Sequence, residues 1–256
     1  MSTVTPPDAP PPAAGAMLHD PAWSQGDEPE VLRLAAVRVR PGNRVPSEPI
    51  DLVLRRGDLV AIDSASQGLA DGLLRVCAGL SEPSAGQVTV LGSALETLDA
   101  HGRLKLRRDV GYVPATGALL SNLRLEANVA LPLRYHRPGT DHVAALAQLC
   151  QELGLPEGLP PTIPPFADRS VLRLAAFARA VLLEPPLLLL DEPVQGTTPA
   201  HAAAIWRVLE RLRVSKGMAC LVWSESRPVP DHARRLTVRH ASRLTRDAAP
   251  GDGGPA

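Results

Sequence analysis

Alternating apolar and polar residues near the start of the chain predict strands. The segments VLRLAAVRVR (31–40) and IDLVLRRGDLVAID (50–63) have this pattern, and the turn residues Arg56-Gly57-Asp58 divide the second segment. The spacing then changes, because apolar residues recur at intervals of three and four at Leu69, Leu73, Leu74, Cys77 and Leu80. The chain therefore passes from a strand through a short loop into a helix.

The remainder of the chain alternates predicted strands with predicted helices. Further strands are predicted in PSAGQVTVLG (83–92), DVGYVP (109–114), LLLLDEP (187–193) and MACLVWSES (218–226). Helices are predicted in RLEANVALPLRYH (124–136), DHVAALAQLCQELGL (141–155), RLAAFARAVLL (173–183) and HAAAIWRVLERLR (201–213). Gly154 is expected to close the second of these helices. Continuous apolar runs such as LLLL suit strands buried on both faces, so we predict an α/β fold with helices covering a mainly parallel sheet.

Composition separates the folded part from both ends. Residues 1–30 are rich in Pro, Ala and Asp, and residues 241–256 are similarly biased, so we expect both to be disordered tails around a domain at 31–240. The first residues lack the basic start and continuous apolar stretch of a signal peptide, and no apolar run is long enough to span a membrane.

Charge and cysteine content narrow the function classes. Lys and Arg together number 27 against 27 Asp and Glu, so the net charge of +0 gives no support for nucleic-acid binding. The three cysteines lie far apart in apolar surroundings, which predicts buried thiols and neither a disulfide framework nor a metal site.

One long motif identifies the family. The run ARAVLLEPPLLLLDEP (178–193) closely resembles the segment of ABC-transporter ATPases in which a helix leads into the Walker B strand. The segments RRGDLVAID (55–63), CAGLSEPSAGQVTVLG (77–92), DVGYVP and LLSNLRLEANVALPL (119–133) resemble the same family in the same order. The resemblance implies a P-loop NTPase-like ABC ATPase fold: a mainly parallel sheet, an antiparallel β edge and an α-helical subdomain at about 116–170.

Two acidic residues match the catalytic positions of that family. The resemblance implies that Asp191, at the carboxyl end of its strand, holds the magnesium ion of Mg-ATP, and that Glu192 polarises the attacking water. An apolar strand that ends in acids also occurs in many other α/β folds, so these two residues carry little weight without the other matching segments.

The expected phosphate loop departs from the family pattern. The family has G-x-x-G-x-G-K-[ST], in which backbone N–H groups wrap the phosphates, Lys neutralises them and Ser/Thr holds magnesium. Here residues 63–71 read DSASQGLAD, so that Ser64 and Ser66 lie in the loop and Gly68 is its one remaining glycine. Leu69 replaces the lysine and Ala70 the hydroxyl ligand. We therefore expect ATP and Mg binding, which the family implies, to be weak or absent.

The other nucleotide-handling positions are altered as well. At its other nucleotide-handling positions the family has a glutamine, a signature LSGGQ, a dimer-crossing Asp, a switch His and an aromatic residue that stacks on adenine. In this chain Ala115 stands at the glutamine position, and Asp168 and Ser170 (within 167–171) lie in the signature. Thr198 stands at the dimer-crossing position and Ser224 at the switch position. No aromatic residue occurs near residues 40–44. Misalignment is a weak alternative, because neither Lys105 nor Lys216 follows a glycine-rich loop.

The family resemblance also implies partners and a location. ABC ATPases dimerise and bind a permease, so we expect a homodimer or a heterodimer with another ATP-binding subunit, on the inner face of the bacterial cytoplasmic membrane. Residues 118–129 follow the family pattern of the permease-docking region, although they could equally serve only to pack the subdomain. The phrase EANVALPLRYH (126–136) is similar to ATPases of MCE-type lipid transport, which makes lipid the first guess for the substrate.

Two main hypotheses about function follow from the sequence. The first is a non-catalytic homologue that acts as a structural or regulatory subunit of a transporter. The second is a working ATPase that energises transport through Asp191 and Glu192 together with residues of a partner. A third reading is an interaction module that is no longer attached to any membrane protein.

Overall fold

The computed structural model describes residues 28–42, 45–136, 143–225 and 229–241, so nearly all of both predicted tails lies outside the described residues. The strands are β1 (Glu30–Arg38), β2 (Ile50–Arg55), β3 (Leu59–Asp63), β4 (Ala85–Val90), β5 (Ser93–Ala94), β6 (Val110–Val113), β7 (Leu187–Asp191), β8 (Ala219–Trp223) and β9 (Arg234–Thr237). The helices are α1 (Gln67–Cys77), α2 (Ala100–Arg108), α3 (Leu125–His136), α4 (Val143–Glu152), α5 (Arg169–Val181) and α6 (Pro199–Lys216).

The strands form two sheets. A parallel sheet has the order β6-β7-β8-β3-β9, and an antiparallel sheet has the order β2-β1-β4-β5. The predicted α/β fold with a mainly parallel core is confirmed. The antiparallel strands, which the resemblance placed at an edge, make a sheet of their own.

Helix α1 packs where the two sheets meet. Its residues Leu69, Leu73, Leu74 and Cys77 are fully buried among side chains from β1, β2 and β4 on one side and from β3, β7 and β8 on the other. Leu80, which the sequence analysis placed in the same series, lies beyond the end of the helix and is 41% exposed, so the predicted apolar face ends at Cys77. Leu187 and Leu189 of β7 point to this face of the parallel sheet, because alternate residues of a strand lie on the same face.

The opposite face of the parallel sheet is covered by α5 and α6, with α3 and α4 packed beyond them. Leu188 and Leu190 of β7 lie in this second cluster together with Phe177 of α5 and Ile205 of α6. Strand β7 is therefore buried on both faces, as its run of leucines predicted. Gly154 closes α4 in a left-handed conformation, with φ +83°, and Leu155 N–H donates to the carbonyl of Cys150 at 2.8 Å.

Register places the carboxyl ends of β7, β8 and β3 side by side. Asp191 pairs with Trp223, and Trp223 pairs with Ile62 on the next strand. Loops that follow these three strands consequently meet at one edge, where open α/β sheets bind ligands. No helix in the described part of the chain is both long and apolar enough to cross a membrane.

Candidate functional site

Asp191 lies at the carboxyl edge of the parallel sheet with only 2% of its surface exposed. Its Oδ2 accepts a hydrogen bond from the backbone N–H of Ala115 at 3.3 Å, whereas its buried Oδ1 has no partner among the described residues. Burial raises the pKa of Asp191 to about 6, and the nearby carboxylates of Asp71 and Glu192 act in the same direction. The site therefore holds a proton on Asp191 more tightly than water does.

Glu192 is equally buried but is fully engaged by protein groups. Its Oε1 accepts from the backbone N–H of Glu225 at 2.8 Å, and its Oε2 accepts from the Ser224 hydroxyl at 3.2 Å. The backbone of Glu192 is left-handed, with φ +51°, a strained conformation for a residue with a Cβ. Ser224, at the position where the family has its switch histidine, therefore hydrogen-bonds to the Glu192 carboxylate.

The phosphate-loop residues bond to one another. Ser66 is the N-cap of α1, and its hydroxyl accepts from Leu69 N–H at 3.4 Å, while its carbonyl accepts from the N–H groups of Leu69 and Ala70. The Ser64 hydroxyl accepts from Ser66 N–H at 3.2 Å. Backbone N–H groups at the start of α1, which would face an anion, are therefore already satisfied in part.

Leu69 and Ala70 point away from this loop. Both are completely buried, in the cluster between the two sheets, so the side chain at the family's lysine position belongs to the core. Gly68 lies against Pro41, since a Cβ at Gly68 would come within 3.1 Å of the proline Cβ. The loop is covered on that side by the chain that follows β1.

Trp223 also holds the loop in place, and the sequence analysis did not identify it. Its Nε1–H donates to the carbonyl of Ser64 at 3.3 Å, and its side chain is buried. The sequence signal for this role was a tryptophan at the end of a predicted buried strand, directly before the switch position.

Two arginines of α5 fix the loop that contains Ala115, and they were also missed. Arg173 Nη2 donates to the Ala115 carbonyl at 2.6 Å and Nη1 to the Pro114 carbonyl at 3.2 Å. Arg179 donates to the carbonyls of Gly117 and Ala118. Arg173 is 8% exposed, and its burial lowers its pKa. Four hydrogen bonds therefore hold residues 114–118 against α5.

Residues of the predicted signature contact the predicted dimer-crossing turn. The Ser170 hydroxyl lies 2.6 Å from His201 Nδ1, and Thr198 N–H donates to Ser170 Oγ at 3.4 Å. Thr198 is the N-cap of α6 and accepts from His201 N–H at 3.2 Å. Asp168, the N-cap of α5, is exposed, and its side chain makes no capping bond.

The predicted cofactor can be compared with the donors that are present. Magnesium prefers several oxygen ligands, and the orphaned Oδ1 of Asp191 is one such atom. Ala70 and Ala115, at the family's hydroxyl and glutamine positions, have no side-chain oxygen. These residues do not form a magnesium and triphosphate site of the usual composition.

The family profile described as "ABC transporter" matches residues 72–195, which begin directly after the predicted phosphate loop. The match covers 124 of the 256 residues and supports an ABC transporter ATP-binding subunit. This confirms the family that the Walker B run and its neighbouring segments indicated.

Curated relatives are similar over most of this chain. The methionine import ATP-binding protein MetN of Mesorhizobium japonicum is 29% identical over 90% of this chain, which spans 64% of that relative. The intermembrane phospholipid transport system ATP-binding protein MlaF of Escherichia coli is 29% identical over 82% of this chain and 81% of its own length.

Solved structures agree on the fold. The dimeric structure of the bacterial ABC transporter cassette MJ0796 has a TM-score of 0.69 at 22% identity, covering 77% of this chain and 88% of that one. The cbiO1 structure from Clostridium perfringens has a TM-score of 0.68 at 18% identity, covering 84% and 86% of the two chains. At these identities the likeness concerns the fold alone.

Proposed function

We propose that this ABC cassette is a non-catalytic subunit that supports or regulates a membrane permease and has lost, or strongly weakened, ATP binding and hydrolysis. In this proposal residues 31–240 form the cassette, with the helical subdomain at about 116–170. The observation that carries the proposal concerns the predicted phosphate loop: its residues hydrogen-bond to one another, and the residue at the lysine position lies in the core.

The loop lacks the charges that a triphosphate requires. Leu69 offers no cation, and Ser66 caps the helix whose N–H groups would otherwise bind phosphate. Removing one charge-assisted contact costs about 1.5–3 kcal/mol, and about 1.4 kcal/mol is tenfold in affinity. The loss of the lysine alone would therefore weaken binding by one to two orders of magnitude.

Glu192 is poorly placed to activate a water molecule. Both of its carboxylate oxygens accept hydrogen bonds, from Ser224 and from Glu225 N–H, so part of the carboxylate's capacity to accept a hydrogen bond from an attacking water is already used. In the proposed subunit Asp191 and Glu192 serve mainly to hold the loops at the carboxyl edge of the sheet.

A groove on the other edge of the fold suits a permease segment. It has a volume of about 460 Å³ and lies between the end of α1, the start of β6 and the ends of α3 and α5. Leu131, Pro132 and Tyr135 give it an apolar wall, and Tyr135 is 77% exposed. The match to the ABC transporter family supports a membrane-subunit segment as the occupant, which would place the chain on the inner face of the cytoplasmic membrane.

The docking region predicted at 118–129 lies earlier in α3 and in the loop before it. Asn128 is buried, and its side chain bonds to the backbone of Leu120, Leu123 and Arg124. Those bonds support a packing role for this stretch, whereas the groove uses the following turns of α3. We therefore propose residues from Leu131 onward as the docking part of that helix.

The proposal is tested by titrating Mg-ATP into the purified full chain, alone and with its permease. We expect no saturable binding at millimolar nucleotide in the chain alone. Saturable binding in the micromolar range that requires magnesium and is lost in Asp191→Asn would contradict the proposal. Tyr135→Asp should weaken co-purification with the permease, while Tyr135→Phe should not.

The alternative is a working ATPase that energises transport with residues from a partner in a homodimer or heterodimer. The buried Oδ1 of Asp191, which has no partner among the residues that the structure describes, favours it, because that atom is available to a cation. Lipid remains the proposed substrate class, supported by the likeness to MlaF. Magnesium-dependent hydrolysis that appears only when a second cassette is added would favour this alternative.

A further inference from the structure

We propose that residues 17–23 of this chain, MLHDPAW, bind in the groove that Leu131 and Tyr135 of α3 line, so that the N-terminal segment covers the docking surface of its own chain. Tyr135 is 77% exposed, and Leu80 and Leu131 in the same groove are 41% and 39% exposed. Exposed apolar side chains that line one concave surface mark a place where another segment binds. The contact itself requires no permease, and only its effect on docking rests on the proposed function.

The groove and the N-terminal segment carry opposite charges. The groove is lined by Arg107, Arg108, Arg179 and His136, and no carboxylate is found among the described residues that line it. Residues 1–30, in contrast, contain five Asp and Glu and no Lys or Arg. Opposite charges attract within about 8–10 Å at physiological ionic strength. The segment therefore complements the groove in charge, whereas the same basic groove of a second copy would repel it.

Two of the groove arginines are available to an acidic partner. Arg107 and Arg179 donate to backbone carbonyls, and in the part of the chain that the structure describes neither forms an ion pair. Arg108 differs, because it pairs with Asp109 at 3.1 Å. A guanidinium group has five N–H donors, so the two unpaired arginines keep donors for a carboxylate such as that of Asp20.

The N-terminal segment enters the described structure at the edge of the fold where the groove lies. The description starts at residue 28, and the carbonyl of Pro29 accepts from Arg56 N–H at 3.2 Å, just before β3 begins. The groove lies at the starts of β6 and β7. Three strand spacings separate β3 from β6, which is about 14 Å. The eight residues from Asp20 to residue 28 can span about 26 Å, so they reach the groove.

The covalent link makes a weak contact sufficient. A segment on a short linker has an effective concentration of about 1 mM, so a peptide with a Kd of about 0.1 mM would be bound about 90% of the time once linked. Grooves with aromatic side chains bind proline-containing segments, and tryptophan buries a large apolar area. We therefore expect Trp23 to be the main apolar contact, against Tyr135, and Asp20 to be the charged contact.

The test is fluorine NMR of the full chain labelled with fluorotryptophan, in which Trp23→Phe identifies the Trp23 resonance. We expect that resonance to differ from its position in a free peptide of residues 12–27, and to move to the free position in Tyr135→Asp. Phe166→Asp changes an exposed aromatic residue that does not line the groove, and it should have no effect. The resonances of the other two tryptophans report whether each variant is folded. A wild-type Trp23 resonance at the free-peptide position would overturn the proposal.

A charge exchange tests the pairing directly. Asp20→Arg and Arg107→Glu should each move the Trp23 resonance to the free position, and the two changes together should move it back. Failure of the double variant to restore the signal would contradict the pairing of Asp20 with Arg107. The resonance should also be independent of protein concentration. A displacement that appears only as concentration rises would assign the segment to a second copy and overturn the intramolecular contact.

The effect on docking is measured separately, as the affinity of the full chain for its permease. A groove that is free for about a tenth of the time lowers the apparent affinity about tenfold, so Trp23→Ala should bind the permease about tenfold more tightly. An unchanged affinity beside a displaced Trp23 resonance would count against the proposed docking site, while the resonance would still support the intramolecular contact. Tight permease binding with Trp23 at the free position would do the reverse.

Discussion

Leu69→Lys restores the family's lysine at a position that this fold uses for its core. The Leu69 side chain is completely buried between the two sheets. Removing a buried leucine costs about 2–5 kcal/mol, and a lysine stem recovers part of that only if its ammonium group reaches water. We therefore expect a loss of about 2–5 kcal/mol in the free energy of unfolding and no gain in ATP binding.

The loss of stability can be measured by thermal unfolding and by denaturant titration. For a domain of this size about 1 kcal/mol shifts Tm by roughly 2–4 °C, so Tm should fall by roughly 4–20 °C. Leu69→Met conserves volume and should cost less than about 1.5 kcal/mol. Leu104→Lys, at an exposed leucine of α2, should be nearly neutral. A Leu69→Lys protein that is as stable as the wild type and binds Mg-ATP would refute the reasoning.

Three further predictions concern single positions. Asn128→Ala should lower the free energy of unfolding by about 1–3 kcal/mol for each backbone group left unsatisfied, measured by urea denaturation against Asn128→Asp. Gly111→Ala should destabilise by about 1–3 kcal/mol, because a Cβ there would lie 2.7 Å from the Ala180 carbonyl oxygen; an unchanged denaturation midpoint would contradict the packing. Asp191→Asn should be more stable than the wild type above pH 6, and the difference should vanish as the pH falls toward 4.

The sign of the last prediction follows from proton linkage. The pKa of Asp191 is raised to about 6 in the folded protein from an ordinary value of 3.8, so between these values the folded state binds more protons than the unfolded state. Wild-type stability therefore falls as the pH rises through this window, by up to about 3 kcal/mol at 1.36 kcal/mol per unit. Asparagine removes the titration. Parallel pH profiles of the two proteins would contradict the assignment.

Much of the fold could be predicted because its core elements have strong periodicity. The helix at α1 and the apolar run of β7 follow from spacing alone, and both are buried as expected. Helix α2 was missed because Leu106 is its one buried residue and most of its other positions are polar. Strand β9 was missed for a similar reason, since its four residues, RRLT, are mostly exposed at the sheet edge.

The site was predictable in its positions and less so in its contacts. Sequence comparison placed Asp191, Glu192 and Ser224 together, and the structure brings them to one edge. It did not indicate that Ser224 would donate to Glu192, nor that Arg173 would reach the loop around Ala115 from α5. Such contacts join residues far apart in the chain, and they depend on side-chain direction, which periodicity does not specify.

Hydrolysis of ATP by the purified full chain tests the central claim most directly. The wild type and Glu192→Gln should be compared with magnesium present, first alone and then with the permease. We predict that phosphate release by the chain alone equals that of Glu192→Gln and of a buffer control. Hydrolysis by the wild type that Glu192→Gln abolishes would contradict the account.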